Sequence, residues 1–443
     1  MNRPQSVGRL PGFRDFPPEE LAIRSHLFEC WRRVSRRYGF MEYDGPPLEA
    51  LELYTEKSGD EIVQQLYTFT DKGDREVALR PEMTPSLARI LGERSRALPK
   101  PIRWFSIPQL FRYERQQRGR LREHFQWNVD VVGEAGPRAD AEVLAVALDA
   151  LKELGLGPDR IHARISHRPL LSALLEGAGV GVEGHPTAFG VIDKLGREPR
   201  EKALVRLEEG TGLTPARGEE LLELLAEGDT QALISRYGTG GGASAAAESG
   251  AEELASVVET LEALGLGPYL TPDLTIVRGL AYYTGTVFEI FDRKGDFRAI
   301  CGGGRYDSLL ARTGGEDLPA VGFGMGDVVL TELLGDEALL PPVERQVDDY
   351  VVVVDPRLHI LGLEVAATLR GQGRSVVYAL RPQAVRKQLS AAAQEGAQRA
   401  VILGPDEVAS GRVSIRDMVS GDTWEMPLDD FRTGQSEDGS QGA

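Results

Sequence analysis

Residues 19 to 38 carry Leu21, His26, Leu27, Cys30, Trp31 and Val34 near helical spacing, and basic residues fill the last turn, which predicts an amphipathic helix. The run "YDGPPLEALELY" then breaks it. "QLYTFTD" and "EVALRPE" read as short strands joined by a turn at Asp71, Lys72, Gly73 and Asp74. "PIRWFSIPQLFRYE" and "HFQWNVDVVG" read as two further strands flanking an arginine-rich loop, a hairpin with a mobile, exposed tip. A helix is predicted over 139–154, and a largely helical stretch runs on to about 263. It is broken at 238–250 by "GTGGGASAAAESG", whose composition predicts a flexible loop. A second group of strands follows in "LTIVRGLAYYTGTVFEIF", "FRAICGGGRYDSLL" and "AVGFGMGDVVLTELL", the last passing into a helix. The picture up to this point is an antiparallel sheet with helices beside it.

Beyond Pro341 and Pro342 the pattern changes. "YVVVVD", a helix at 359–371, "SVVYAL", a helix at 382–395 and "RAVILG" alternate strand and helix, with continuous apolar strands. This predicts a separate small α/β domain on a largely parallel sheet. The polar tail from about 433 to 443 is expected to be disordered.

Composition narrows the function classes. The 443 residues are 41% apolar and 27% charged, as in a globular protein of two or three domains. A net charge of −17 excludes a bulk positive field, so any polyanion must be met by local clusters of Arg and Lys. The two cysteines, Cys30 and Cys301, have neither disulfide-framework nor zinc-ribbon spacing, and six histidines show no metal-ligand spacing. No apolar run reaches membrane-spanning length, and the N-terminus lacks a signal-type apolar segment, so a cytoplasmic location is expected. There is no Walker A loop and no G-x-S-x-G elbow. "GFGMGD" at 322–327 matches a dinucleotide fingerprint poorly.

Four stretches can carry chemistry. Five arginines fall between 112 and 122, a density that calls for anions, and guanidinium binds phosphate with bidentate geometry. If residues 112–114 and 126–130 are strands, Arg112 and Glu114 share one face, while Gln126, Asn128 and Asp130 share another backed by Trp127, Val129 and Val131. A solvated edge hairpin is the alternative. "VRGLAYYTGTVFE" brings Arg278, Tyr282 and Tyr283, or is ordinary sheet with core tyrosines. "CGGGRYD" removes side chains at Gly302, Gly303 and Gly304, either for a close approach or for a bulge. "LRPEMTPSLAR" delivers Glu82 and Thr84 from a strand end, with Thr84 also readable as a helix N-cap.

Taken together, "LRPEMT", "FRYERQQRGRLREHFQ", "VRGLAYYTG" and "GGGRYD" resemble the histidyl-tRNA synthetase family of class II aminoacyl-tRNA synthetases, in that family's order and at about its spacing. The spellings look most like the branch that includes plant organellar enzymes. The resemblance implies an α+β catalytic domain on an antiparallel sheet (1–165 and 271–340), a mainly helical insertion (166–270) and a C-terminal α/β anticodon-binding domain (346–432). It implies that histidine is activated with ATP and Mg²⁺ and transferred to the terminal adenosine of tRNA(His) by a homodimer.

Residue by residue, the resemblance assigns Arg112 and Arg278 to the α-phosphate, Glu114 to the adenine amino group and Arg120 to the outer phosphates. Glu82, Thr84 and Gln126 would hold the amino acid's ammonium and carboxylate, and Asp130 and Tyr283, beside Tyr282, would read the imidazole. Gly302, Gly303 and Gly304 would floor that pocket. Adenine stacking falls to His124 or Phe125. The sequence departs from the family in four places: Val329 stands where the third motif carries a γ-phosphate arginine, which leaves Arg120 and Arg122 as candidates for ATP's tail; His124 aligns with the stacking Phe; Ala281 replaces an Asp; and the second motif reads ERQQ. The rival reading is the family's non-catalytic paralogue, the regulatory subunit of ATP phosphoribosyltransferase.

Overall fold

The structure is a computed structural model that describes residues 8–55, 63–115, 117–196, 198–238, 241–277, 283–307, 311, 316–342 and 347–433. Arg278, Tyr282, Ala281 and residues 434–443 of the tail lie outside the described residues. The chain divides into two compact units, residues 1–341 and 342–443.

The larger unit is built on a sheet of nine strands among the described residues. The ones that matter for the site are β5 (Ile102–Ser106), β6 (Gln109–Phe111), β7 (Glu123–Val132), β8 (Ile161–His167), β10 (Thr286–Asp292), β11 (Cys301–Arg305) and β12 (Ala320–Gly326). Edge strands β1 (Met41–Glu42) and β9 (Leu270–Pro272) pair in parallel with β5 and β8; between them the order β5–β7–β12–β11–β10–β8 is antiparallel throughout. A small second sheet holds β2 (Leu48–Ala50), β3 (Tyr67–Thr70) and β4 (Glu76–Leu79).

Period-two alternation sends one face of the large sheet into the core. Phe105, Trp127, Val129, Val131, Phe288, Ile290 and Phe323 are buried there against helix α1 (Pro18–Arg37) and the helix Pro137–Glu153. Trp31 of α1 stacks on Trp127 at 5.7 Å, Phe323 meets Trp127 edge-on at 5.0 Å, and the Trp127 indole N–H donates to Ser35 Oγ at 3.0 Å. The expected α1 stripe is realised by Leu27, Cys30, Trp31 and Val34, whereas Leu21 is exposed. The helix predicted at 139–154 forms as Pro137–Glu153. Its apolar residues face in on nearly all sides, from Ala139 to Leu151, as a central core helix requires.

Helices cover most of 168–263, and the loop expected at 238–250 is not one: a helix runs over Gly241–Ala263. Tertiary packing overrides the composition there. Ala247, Leu254, Val257 and Leu261 are buried, and a Cβ on Gly250 would lie 3.0 Å from the Leu170 backbone, so the small residues let this helix lie against Arg168–Ala178.

The smaller unit carries the strand–helix alternation read from the sequence, on a sheet ordered β14 (Val376–Tyr378), β13 (Val347–Val353), β15 (Ala397–Leu403), β16 (Arg412–Asp417), β17 (Thr423–Pro427). The sheet is mixed where a largely parallel one was expected. β14–β13–β15 are parallel, but β16 and β17 add an antiparallel hairpin, buried in β16 and mostly exposed in β17, whose alternating apolar and polar residues lack the continuous apolar signature of the others. Separate apolar clusters pack on its two faces.

Candidate active site

The face of the large sheet turned away from the Trp31–Trp127 core is polar, and its middle is stripped of side chains. Residues directly opposite one another across strands share a face. Asp130 of β7 pairs with Gly322 of β12, and Gly322 with Gly304 of β11; Asn128 pairs with Gly324, and Gly324 with Gly302; Gln126 pairs with Gly326. Glycine therefore occupies the positions beside each polar side chain. A Cβ on Gly322 would fall 2.1 Å from Asp130 Oδ1, and one on Gly324 2.7 Å from the Gln126 amide carbon. Gly302 and Gly304 belong to this face. Gly303 does not: its missing side chain faces Phe288 and Phe323 in the core.

Asp130 is almost fully buried and accepts a hydrogen bond from the Tyr306 hydroxyl. Burial drives its carboxyl up to about 7, and the Tyr306 hydroxyl opposes part of that rise. Tyr283 is buried in the same apolar cluster as Tyr306, Ile276 and Val287, and a Cβ on Gly304 would lie 2.8 Å from its ring. Asp130, Tyr283, Tyr306, Gly304 and Gly322 thus converge on one spot. Tyr306 lies inside the "GGGRYD" stretch yet carries no role in the sequence reading. Its neighbour Arg305 is structural: the guanidinium is buried against Asp140 and the carbonyls of Glu134 and Gly136.

Two residues before Gln126 on the same face stands His124, which opens onto a cleft. The cleft is lined by Arg112, Glu114, Gly119, Arg120, Leu121, His124, Arg298, Gly326, Val328 and Val329. Residues 112–115 are irregular rather than strand, since β6 ends at Phe111, yet Arg112 and Glu114 still face the cleft together. The Arg112 guanidinium is held by the Pro81 carbonyl at 2.9 Å, which ties the cleft to the turn carrying Glu82 and Thr84. Glu82 is buried, and Thr84 is the first residue of helix Thr84–Arg94, with Met83 at the N-cap position, so Thr84 is not the cap. Arg120 forms an ion pair with the buried Glu114 carboxylate. His124 is pushed down to about 3, first by burial and then by Arg112, Arg14 and Arg120, so its ring is neutral at physiological pH. Phe125 points to the other side, 5.2 Å from the Phe28 ring and 6.1 Å from Phe16, under the Arg24 guanidinium.

The arginine-rich tip is exposed at Tyr113, Arg115, Gln117 and Arg118, as its composition predicts, yet it is docked on the chain's own groups. Arg118 binds Glu332 and Asp336 of the Asp327–Asp336 helix that follows β12, and the Gly119 N–H donates to Glu332 at 3.3 Å. The Arg122 guanidinium lies 4.1 Å from the Tyr113 ring centroid and outside the cleft lining. Part of the positive charge is therefore answered by the chain's own carboxylates and π-faces. Beneath the cleft, Arg14 bridges Glu123 and Asp327, and Asp327 accepts the Phe125 N–H at 2.9 Å; this buried network was not foreseen. Among the described residues no cluster of three or more His, Cys, Asp or Glu side chains is arranged to hold a metal ion, and no helix is long and apolar enough to cross a membrane.

The family described as "Histidyl-tRNA synthetase" matches residues 12–327, and that described as "Anticodon binding domain" matches residues 348–435. A histidine–tRNA ligase of Opitutus terrae is 43% identical over 94% of this chain and 95% of its own length. The chloroplastic and mitochondrial histidine–tRNA ligase of Arabidopsis thaliana is 40% identical over 95% of this chain and 85% of its own. Among solved structures, histidyl-tRNA synthetase from Nostoc sp. PCC 7120 superposes with a TM-score of 0.78 at 26% identity, covering 97% of this chain and 98% of that one. A Bacillus halodurans chain described as an ATP phosphoribosyltransferase regulatory subunit/histidyl-tRNA synthetase shares the fold at a TM-score of 0.72 and 23% identity, covering 89% of this chain and 98% of that one. The cleft, the glycine-lined face and these matches along nearly the whole chain lead to one assignment: the protein belongs to the histidyl-tRNA synthetase family.

Proposed function

We propose that the protein is a histidine–tRNA ligase, which joins L-histidine to ATP as histidyl-adenylate and then passes histidine to the 3′-terminal adenosine of tRNA(His). One observation carries this reading: a guanidinium-lined cleft and a buried carboxylate–tyrosine pair lie along one face of a single strand, at His124, Gln126 and Asp130.

In the reading, ATP occupies the cleft. Glu114 accepts from the adenine amino group, the neutral His124 ring stacks on the base, and Arg112, with Arg278, neutralises the α-phosphate. Phe125 is left to the Phe16–Phe28 packing. Histidine lies over the glycine face, its ammonium and carboxylate held by Glu82, Thr84 and Gln126, its imidazole read by Asp130 and Tyr283. Tyr306 fixes the Asp130 carboxyl, and Tyr282 is assigned to histidine binding beside Tyr283. An apolar competitor would leave these buried polar groups unpaired, a penalty worth roughly 10⁴-fold in selectivity.

The histidine α-carboxylate, with a pKa of about 3.5, is ionised at neutral pH, so its attack on the α-phosphorus needs no general base. A carboxylate oxygen forms the new P–O bond as the bond to pyrophosphate breaks in line. What the protein must supply is alignment and charge neutralisation at the phosphoryl oxygens. A ribose hydroxyl of the tRNA then attacks the activated carbonyl carbon and AMP leaves. Mg²⁺ would accompany the triphosphate and supply further neutralisation of its charge. Residues 342–443 would bind the anticodon, the helices of 168–263 would form the insertion, and the chain would act as a homodimer in the cytoplasm, where buried Cys30 and Cys301 stay reduced.

The test is ATP–pyrophosphate exchange dependent on histidine, followed by charging of tRNA(His). Exchange and charging are expected. Absence of both, with tight binding to an ATP phosphoribosyltransferase, would favour the regulatory paralogue instead.

A further inference from the structure

Resting on that reading, we propose that Arg298 grips the outer phosphates of ATP, supplying from the β10–β11 connection the charge that Val329 does not provide. Of the five arginines of residues 112–122, Arg112 and Arg120 line the cleft, the first held at the Pro81 carbonyl and the second paired with Glu114, whereas Arg118 is turned to Glu332 and Asp336 and Arg122 lies on Tyr113. Arg115 is exposed and outside the cleft lining. A triphosphate placed with its base at His124 and Glu114 meets Arg112 and Arg120 but needs a further cation for its tail, and the one other guanidinium lining the cleft among the described residues is Arg298.

Val329 serves a different purpose. A Cβ on Gly119 would lie 3.0 Å from Val329 Cγ2, so the valine packs directly under the turn of the arginine-rich tip. An apolar side chain there seats the tip and leaves phosphate binding to another element.

Arg298 is exposed, but its backbone is fixed on both sides. The buried Asp292 carboxylate accepts the N–H groups of Asp296 at 2.9 Å and Phe297 at 3.1 Å. The Ile300 N–H bonds to the Ile290 carbonyl at 2.8 Å, and the Phe297 ring lies 4.5 Å from the Arg118 guanidinium. The loop that carries Arg298 is thus joined to the tip that carries Arg112 and Arg120, which fixes the backbone from which the three side chains reach the cleft. A fixed backbone of this kind reduces the rearrangement needed when the substrate binds.

The experiment compares full-length wild type with Arg298→Ala and Arg298→Lys. In pyrophosphate exchange, R298A should raise the KM for ATP and for pyrophosphate at least tenfold, leave the KM for histidine within twofold, and leave inhibition by AMP unchanged. R298K should recover part of the loss. Unchanged KM values for ATP and pyrophosphate, or an equal loss of AMP affinity, would overturn the proposal. If wild type shows no exchange, the ligase reading fails on its own. Calorimetric binding of ATP and of AMP to the same proteins then decides the role of Arg298: a loss confined to ATP supports it, and no difference refutes it.

Discussion

At the scale of single residues, the site depends on side chains that are absent as much as on those present. Gly322→Ala would drive a Cβ to within 2.1 Å of Asp130 Oδ1 and 2.7 Å of the Val129 carbonyl. Its expected outcome is a histidine KM raised tenfold or more, with a stability loss of about 1–3 kcal/mol from overpacking, read by steady-state kinetics and thermal unfolding. Asp130 gives a pH signature. The folded chain keeps this carboxyl protonated up to about 7, whereas an unfolded Asp releases its proton near ~3.9. The folded state therefore binds more protons between these values, and the stability so gained is lost as pH rises from about 4 through about 7. The difference in unfolding free energy between wild type and Asp130→Asn, followed over that window, should move against wild type as pH rises. A flat difference would mean the carboxyl is not held neutral. Arg112→Ala should slow adenylate formation by about 10²–10³-fold with the fold retained, checked by pre-steady-state pyrophosphate release and circular dichroism.

At the scale of elements, much of the site was legible in the sequence. Period-two spacing placed Gln126 and Asp130 on one face and Trp127, Val129 and Val131 on the other, as found. The glycines of "GFGMGD" recur with the same period, and that alternation is a readable sign of a strand face emptied for a ligand; taken only as a poor dinucleotide match, it went unused. Charge density misled at the tip, because sequence does not show which carboxylates lie opposite in space. Glu332 and Asp336 are more than 200 positions from Arg118. Tyr306 was missed for the same reason, its partner Asp130 being 176 residues away. The tip's docking is testable. The double change Glu332→Gln with Asp336→Asn should cost little overall stability, about 1 kcal/mol or less for exposed pairs. It should still speed amide exchange across residues 112–122 and raise the ATP KM several-fold. Unaltered exchange would show that the carboxylates do not hold the tip.

At the scale of the whole molecule, the division at residue 341 separates a unit with the entire cleft from one with its own sheet and two apolar clusters. Ending the chain at residue 341 should leave histidine-dependent pyrophosphate exchange nearly intact while lowering tRNA charging at limiting tRNA by a hundredfold or more. The alternation of strand and helix made the second unit visible in sequence, but its β16–β17 hairpin escaped because short strands that alternate apolar and polar residues carry a weak hydrophobic signal. The central claim is that one sheet face joins an ATP cleft to a histidine pocket, and the most direct measurement is histidine-dependent exchange of labelled pyrophosphate into ATP by the full-length protein. The account predicts exchange that requires histidine, is unsupported by other amino acids and falls by orders of magnitude in Arg112→Ala. Exchange that is absent, or that does not depend on histidine, would contradict it.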